Sequence, residues 1–230
     1  MPDALRIGVV MDPIQSIKPW KGSTLAMLLA AAARGWPLHY MEMRDLQLVG
    51  GEASASVRPL TVTDDTQRWF TLGEPVHIPL QELDVILMRK DPPFDIEYVY
   101  ATYVLERASL AGTLVVNEPR SLRDVNEKAF TAWFADVCPA TMIGRDMDAL
   151  REFAGRFERA VAKPLDGMGG KSIFVMSRGD TNNSVILETL TDYGRRFAMV
   201  QEYLPEIVEE GDLRILLVNG EAVPYGLARI

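Results

Sequence analysis

The 230-residue chain is 48% hydrophobic and 24% charged, a composition typical of globular proteins. Its net charge of −8 argues against a nucleic-acid-binding surface, which is usually basic. No apolar run is long enough to span a membrane, and the N-terminal "MPDALRIGVV" lacks the basic flank and long apolar core of a signal peptide. The single cysteine, Cys138, excludes an internal disulfide and suits the reducing cytoplasm.

The first half of the chain predicts strands that alternate with helices. The apolar runs "LRIGVV", "PLHYMEM", "LDVILM" and "TLVV" indicate strands. One helix, "STLAMLLAAAARG", begins with Ser23 as its N-cap, and a second helix is capped by Asp95 and ends at Gly112. Residues 44–79 are mixed and polar and predict only a short hairpin and loops. This order favours an α/β domain over residues 1–122, with helices on the faces of a parallel sheet.

The second half, residues 123–230, predicts an antiparallel α+β domain. "DVNEKAFTAWF" indicates a helix, with Asp124 and Glu127 at capping-box spacing and three aromatic residues on one face. A helix around "DMDALREFAGRF", two strands around a glycine loop, a helix near "SVILETLTDYG" and the strand "FAMVQEYL" follow. The chain then predicts two strands joined by Asn219 and Gly220, a strong hairpin signal.

The glycine loop in "AVAKPLDGMGGKSIFVM" is the first candidate site. The Walker and Rossmann glycine motifs do not match, because Leu165 and Ser172 stand where glycines are required and a strand follows instead of a helix. Gly167, Gly169 and Gly170 let backbone N–H groups approach an anion, and Lys163 adds a positive charge beside them. The predicted guest is a polyphosphate; the alternative is a tight hairpin with a solvated lysine.

Two further stretches are compatible with a nucleotide. Lys128 lies in the first turn of its predicted helix, where the helix dipole disfavours a cation unless an anion binds. The alternative is a lysine that bends into solvent. In "VQEYLPE" a strand runs into a proline-stopped loop, and its backbone donors and acceptors suit the edge of a purine. The alternative there is an ordinary strand end.

Polar residues also follow the predicted parallel strands. Asp12 follows the first strand, and Arg89 follows the third. Ligands of open α/β sheets bind outside the carboxyl ends of strands, so both side chains are candidates for a substrate site. Asp212 and Arg214 alternate along a later strand and are expected to share one face, which is either a site or plain solvent.

The chain resembles the bacterial glutathione synthetases of the ATP-grasp superfamily. The resemblance is carried by "GVVMDPI", "LHYMEMRDL", "LDVILMRKDPPFD", "ATYVLERA", "GTLVVNEPRSLRDVNEKAFTAWF", "KPLDGMGGKSIF", "YLPEI" and "VPYGLARI". It implies a Rossmann-like N-terminal domain followed by α+β ATP-grasp domains, the last of which is expected to be incomplete in this chain, with ATP held between two antiparallel sheets.

The resemblance also implies roles for matching positions. The two lysines and the glycine loop would bind the phosphates, the strand end would bind the adenine, and Asp212 would lie near the ribose. The nucleotide-binding residues would be Lys128, Lys163, Gly167, Gly169, Gly170, Gln201, Glu202, Tyr203, Leu204 and Asp212; the substrate-binding residues would be Asp12 and Arg89; and the catalytic residues would be Arg214 and Arg229.

The family reaction joins γ-glutamylcysteine to glycine with ATP through an acyl phosphate, and it uses Mg²⁺, with Mn²⁺ as a possible substitute. The resemblance places the family's metal ligands beyond residue 230, so no metal ligand is predicted within the chain. We expect the natural polypeptide to be longer, and a chain ending at Ile230 to make no glutathione. The alternatives are a catalytically silent nucleotide-binding fragment and a ligase of another carboxylate–amine pair. The family further implies a cytoplasmic homo-oligomer.

Overall fold

The structure is a computed structural model that describes residues 4–19, 22–91 and 93–229. The chain divides into two compact units, Met1–Val125 and Asn126–Ile230. The boundary drawn from the sequence, between residues 122 and 123, stays a prediction. Pro92 and Ile230, which belong to motifs quoted above, lie outside the described residues.

The first unit contains eight strands and three α-helices among its described residues. In chain order they are β1 (Ile7–Val10), α1 (Ser23–Ala32), β2 (Leu38–Met41), β3 (Leu46–Val49), β4 (Glu52–Val62), β5 (Phe70–Leu72), β6 (Val76–Pro79), β7 (Val85–Met88), α2 (Ile96–Leu110), β8 (Leu114–Val116) and α3 (Pro119–Asp124). These strands form one sheet, whose main path runs β3-β4-β2-β1-β7-β8.

The parallel core predicted from the sequence is confirmed. Strand β1 lies between β2 and β7 and is parallel to both, and β7 is parallel to β8. Alternate residues of these buried strands face opposite layers. Val10 packs in a cluster with α2 residues, and Val9 packs in a cluster with α1 residues. The helices therefore cover both faces of the sheet.

The prediction for residues 44–79 was wrong, because these residues form four strands instead of a short hairpin and loops. Strand β4 alone has eleven residues and pairs antiparallel with β2, β3, β5 and β6. Its buried side chains include Ala55, Val57 and Leu60. The alternation is hard to see in the sequence, since small and polar residues fill many of the remaining positions of the strand.

The predicted helix caps have mixed outcomes. The Asp95 carboxylate accepts a hydrogen bond from the Tyr98 N–H at 2.9 Å, so this N-cap is confirmed. Ser23 was wrongly predicted as an N-cap. It is the first residue of α1, and the cap position belongs to Gly22, which offers no side chain. None of the described helices is long and apolar enough to cross a membrane.

The second unit contains six strands and three α-helices among its described residues. They are β9 (Thr141–Gly144), α4 (Met147–Ala154), β10 (Arg159–Pro164), β11 (Phe174–Ser177), α5 (Asn183–Thr191), β12 (Ala198–Glu202), α6 (Glu206–Glu209), β13 (Asp212–Val218) and β14 (Glu221–Arg229). A four-stranded antiparallel sheet runs β11-β10-β12-β9, and β13 pairs with β14.

The hairpin between β13 and β14 confirms the turn signal. Asn219 and Gly220 both adopt left-handed backbone conformations, with φ of 52° and 81°. A two-residue turn with positive φ at both positions matches the right-handed twist of paired strands.

The predicted helix around residues 124–134 was wrong in its start and type. Asp124 is the last residue of α3, and a 3₁₀ helix, Ala129–Phe134, follows after a break. The predicted capping box is not formed, because the Asn126 side chain accepts the hydrogen bonds at the start of this helix. The Phe130 ring stacks on Trp133, which is 71% exposed, so the aromatic residues do not form a buried face.

Candidate nucleotide-binding site

The four-stranded sheet of the second unit has two chemically different faces. Ala160 and Ala162 of β10 are buried in a cluster with residues of α4 and α5. Side chains alternate along a strand, so Val161 and Lys163 point to the opposite face. Residues directly paired across antiparallel strands share a face, so Met199 of β12 lies on this side beside Lys163.

Lys163 is a half-buried cation on this face, beside Met199, which is fully buried. The structure gives its ammonium group no hydrogen bond or ion pair within the described part of the chain. Burial lowers the pKa of the Lys163 ammonium, and the nearby positive charge of Lys128 lowers that pKa further. Two cations that repel each other in a partly dehydrated place make this a candidate site for an anion.

The lowered pKa of Lys163 predicts a pH dependence of the free energy of unfolding. Between the folded pKa and the ordinary value of 10.5, the unfolded chain binds more protons than the folded chain, so stability rises with pH. The penalty is fully present below the folded pKa and is lost as pH approaches 10.5. We therefore expect Lys163→Met to stabilise the empty protein at pH 7, and its advantage to shrink by pH 10.5. Urea unfolding of both proteins at each pH measures this difference; an advantage independent of pH would contradict it.

Lys128 is not the solvated lysine of the alternative interpretation. Its side chain is only 16% exposed. The ammonium donates to the Gly167 carbonyl at 2.6 Å and contacts a Glu127 carboxylate oxygen at 2.7 Å, with the Leu165 carbonyl at 3.5 Å. The dipole argument from the sequence is corrected, because Lys128 occupies the N-cap of a six-residue 3₁₀ helix, not the first turn of an α-helix.

The glycine loop joins β10 to β11, as predicted. Gly169 and Gly170 have φ of 66° and 76°, and a Cβ on either would meet no atom within 4 Å, so the tip needs glycine for its backbone conformation. Gly167 is needed for another reason, since a Cβ there would lie 2.7 Å from the Pro164 ring. At the base of the loop, Asp166 forms an ion pair with Arg196 at 2.6 Å.

The end of β12 offers few free backbone groups. The Glu202 N–H donates to the Ala140 carbonyl at 2.9 Å, and the Tyr203 N–H donates to the Arg159 carbonyl at 3.3 Å. Gln201 is 8% exposed, and its amide donates to the Thr141 hydroxyl. The Leu204 N–H makes no hydrogen bond within the described residues, which leaves it as the candidate donor to an adenine.

Sequence reasoning missed three polar residues beside these elements. The Arg159 guanidinium lies 3.9 Å from the centre of the Tyr203 ring, a cation–π contact. Arg196 forms an ion pair with Asp166 at the base of the loop. The Asn126 carboxamide makes hydrogen bonds with the Lys128 N–H and the Leu165 carbonyl. Asn126 carries a sequence signal, since asparagine side chains readily accept a hydrogen bond from the backbone N–H two residues on, but the spacing of Asp124 and Glu127 was weighted instead.

In the β13–β14 hairpin the predicted residues are paired with each other. Asp212 lies opposite Arg229, and its carboxylate accepts two hydrogen bonds from that guanidinium, the Nε bond at 2.6 Å. The Arg229 bond is the main cause that lowers the pKa of Asp212, and the charge of Arg214 lowers that pKa further. The described residues give Arg214 no ion pair, so it is the more available cation of the two.

In the first unit Asp12 and Arg89 follow the neighbouring parallel strands β1 and β7, but among the described residues their side chains have different partners. The Arg89 guanidinium contacts the hydroxyls of Thr24 and Ser23 at 3.1 and 3.2 Å. Both Asp12 oxygens are occupied, one by the Lys90 ammonium at 2.8 Å and the other by the Asp91 N–H at 2.9 Å. Asp12 therefore stabilises the loop after β7 in this structure.

Two domains of one known protein family match nearly the whole chain. Residues 5–123 match the family described as prokaryotic glutathione synthetase, N-terminal domain, and residues 127–230 match its ATP-grasp domain. The chain belongs to the prokaryotic glutathione synthetase family. The resemblance seen in the sequence is thereby confirmed.

Relatives of this family are similar over nearly the whole chain. A glutathione synthetase of Pseudomonas aeruginosa is 58% identical over 227 residues, which are 99% of this chain and 71% of that protein. A glutathione synthetase of Yersinia pestis is 56% identical over 98% of this chain and 70% of its own length. The chain thus spans about seven-tenths of these relatives.

Solved structures support the ATP-grasp fold of this glutathione synthetase family member. D-cycloserine synthetase DcsG matches 97% of this chain and 71% of its own, with a TM-score of 0.61 and 15% identity. D-alanyl-alanine synthetase A from Vibrio cholerae matches 97% of this chain and 66% of its own, with a TM-score of 0.55 and 8% identity. At these identities the likeness concerns the fold alone.

Proposed function

We propose that the protein is an ATP-dependent ligase that joins γ-glutamylcysteine and glycine to give glutathione, ADP and phosphate. The observation that carries this proposal is Lys163, a half-buried cation that lies just before the glycine loop and has no partner among the described residues. Membership in the glutathione synthetase family supplies the substrates. An anion beside Lys163 and Lys128 removes their repulsion, and ATP provides such an anion.

Different groups of the nucleotide-binding residues bind different parts of the ATP molecule. Lys128 and Lys163 hold the phosphates, Gly167, Gly169 and Gly170 admit them to the loop backbone, and Gln201, Glu202, Tyr203 and Leu204 surround the adenine. Asp212 is proposed beside the ribose. Asp12 and Arg89 are proposed to bind the peptide substrate, and Arg214 and Arg229 to neutralise charge at the reacting centre.

The reaction requires positioning more than covalent help from the protein. A carboxylate oxygen of γ-glutamylcysteine attacks the γ-phosphorus of ATP, and ADP leaves. The glycine amine then attacks the carbonyl carbon of the acyl phosphate, loses a proton and expels phosphate. Lysine and arginine side chains stabilise the negative charge that accumulates in both steps.

A divalent metal is proposed as the companion of ATP, with Mg²⁺ as the first choice and Mn²⁺ as the substitute. One relative in fold, the ATP-grasp ligase PsnB, was solved in a complex described as containing Mg and ADP; its TM-score is 0.51 at 19% identity. Within the described residues no group of three His, Cys, Asp or Glu side chains is placed to hold a metal ion. These residues therefore do not form a metal site by themselves, and we assign no step to the metal.

The proposed activity is tested with a sample of verified mass. Glutathione formation, measured by mass spectrometry, should require ATP, γ-glutamylcysteine, glycine and Mg²⁺ together. ATP binding without any product would instead support a nucleotide-binding protein without catalysis. ATP consumption only with another carboxylate and amine would support a ligase of different substrates.

The loop of residues 166–171 should become ordered when nucleotide binds. Gly169 and Gly170 have positive φ, and a Cβ on either would meet no atom within 4 Å, so the tip is loosely packed and a polyphosphate would bind its N–H groups. We expect hydrogen exchange in this loop to slow when a non-hydrolysable ATP analogue is added. Exchange at β6 serves as the control. Equal exchange in the loop with and without the analogue would indicate a rigid hairpin.

The assembly and location of the protein are also proposals. Family membership favours a homo-oligomer, which size-exclusion chromatography with light scattering would measure. A cytoplasmic location is proposed because Cys138 is the only cysteine of the chain.

A further inference from the structure

The side chain of Asn126 connects the two elements that carry the candidate phosphate ligands. Its carboxamide oxygen accepts hydrogen bonds from the Lys128 N–H at 3.0 Å and the Ala129 N–H at 2.8 Å. Its amide nitrogen donates to the Leu165 carbonyl at 3.3 Å. Leu165 lies at the base of the glycine loop, two residues after Lys163. One partly buried side chain thus touches the lysine segment with its acceptor and the loop with its donor.

Two carbonyls at the base of the loop also approach the Lys128 ammonium. Lys128 Nζ lies 2.6 Å from the Gly167 carbonyl and 3.5 Å from the Leu165 carbonyl. A closed ring of contacts therefore links the Asn126 side chain, the backbone and side chain of Lys128, and the base of the glycine loop. If the Asn126 amide is removed, the Leu165 carbonyl keeps only the long contact to the ammonium, and the loop base is less restrained.

We infer that Asn126 is a positioning residue, which sets the place of the Lys128 ammonium relative to the glycine loop before nucleotide binds. The inference rests on the proposed function for the identity of the ligand, but the coupling itself is a property of the empty protein. Asn126 suits this role because its amide presents an acceptor and a donor on one short, planar group. Asn126 acts through Lys128 and the loop and does not itself need to contact ATP.

Two substitutions separate this coupling from simple helix capping. In Asn126→Ser the hydroxyl oxygen can still accept from the N–H groups of residues 128 and 129, but the donor to Leu165 is lost. In Asn126→Asp the carboxylate keeps both acceptor bonds and faces the Leu165 carbonyl without a donor. Asn182→Ser and Asn182→Asp are matched controls, since Asn182 is the exposed N-cap of α5 and makes no capping hydrogen bond with its side chain.

The test measures hydrogen exchange of residues 166–172 in the whole chain without nucleotide. Loss of one hydrogen bond should accelerate loop exchange roughly three- to tenfold in both Asn126 variants, and the Asn182 variants should match the wild type. Calorimetry should show a comparable fall in ATP affinity for Asn126→Ser. The Asp variant retains its cap, so it keeps the test decisive if the Ser variant fails to fold.

The outcomes distinguish the coupling from the proposed function. Loop exchange in Asn126→Asp equal to that of the wild type would show that Asn126 only caps the helix, and would overturn the inference. Faster loop exchange together with unchanged ATP affinity would also overturn its positioning role. If the wild type binds no ATP, the proposed function fails, while faster loop exchange in both Asn126 variants still supports the coupling.

Discussion

Replacing Lys163 with methionine is expected to lower ATP affinity roughly 10- to 150-fold, which corresponds to about 1.5–3 kcal/mol for lost hydrogen bonds to a charged group. Methionine keeps an unbranched side chain of similar length, so the sheet face retains its packing. The empty protein should not lose stability, because the substitution removes a half-buried charge that repels Lys128. Isothermal titration calorimetry with ATP, paired with urea unfolding, measures both quantities.

Lys18→Met provides the matched control, since Lys18 is an exposed lysine of the first unit. Its ATP affinity should equal that of the wild type. Lys128→Met should also weaken ATP binding, although it additionally frees the carbonyls of Leu165 and Gly167. Unchanged ATP affinity in both the Lys163 and Lys128 variants would refute the phosphate assignment.

Leu187→Ala is expected to destabilise the second unit by about 2.7–5 kcal/mol, the range for deleting a fully buried leucine. Leu187 lies on α5, is 0% exposed, and belongs to the cluster that includes Ala160 and Ala162 beneath the candidate site. The loss is large against the total stability of about 5–15 kcal/mol for a typical protein. Chemical denaturation followed by circular dichroism measures it.

Val185→Ala on the same helix is the control for this substitution. Val185 is 58% exposed, so its truncation should change the free energy of unfolding by no more than about 0.5 kcal/mol. ATP affinity of the folded Leu187→Ala protein should stay near that of the wild type, because Leu187 is on the helix-covered side of the sheet. Equal destabilisation by the two substitutions would mean that α5 does not hold the sheet.

Two local signals in the sequence were reliable, the hairpin turn and one helix cap. Asn219 and Gly220 adopt the positive φ values that their turn requires, and Asp95 caps its helix. The order of strands and helices likewise predicted the parallel core, because each apolar run was bounded by turn residues. The sequence failed across β4, whose pairing with four other strands depends on contacts between distant segments.

The candidate site was predictable in its residue types but not in its contacts. The two lysines and the glycines were identifiable from their positions in the sequence. That Lys128 donates to the Gly167 carbonyl, and that Asp212 is taken by Arg229, could not be predicted, because both contacts depend on tertiary geometry. Asn126 was missed for the same reason, since its donor bonds a residue of another loop.

The alternation along β10 has a consequence for how this strand can evolve. Positions 160 and 162 contact helices, whereas positions 161 and 163 lie on the opposite face of the sheet, beside the candidate site. A saturation library over this strand should therefore separate by the parity of the residue number. Even-numbered positions would limit the amount of folded protein that accumulates, and odd-numbered positions would limit turnover in protein that accumulates normally. The two properties can then be selected independently within four consecutive residues.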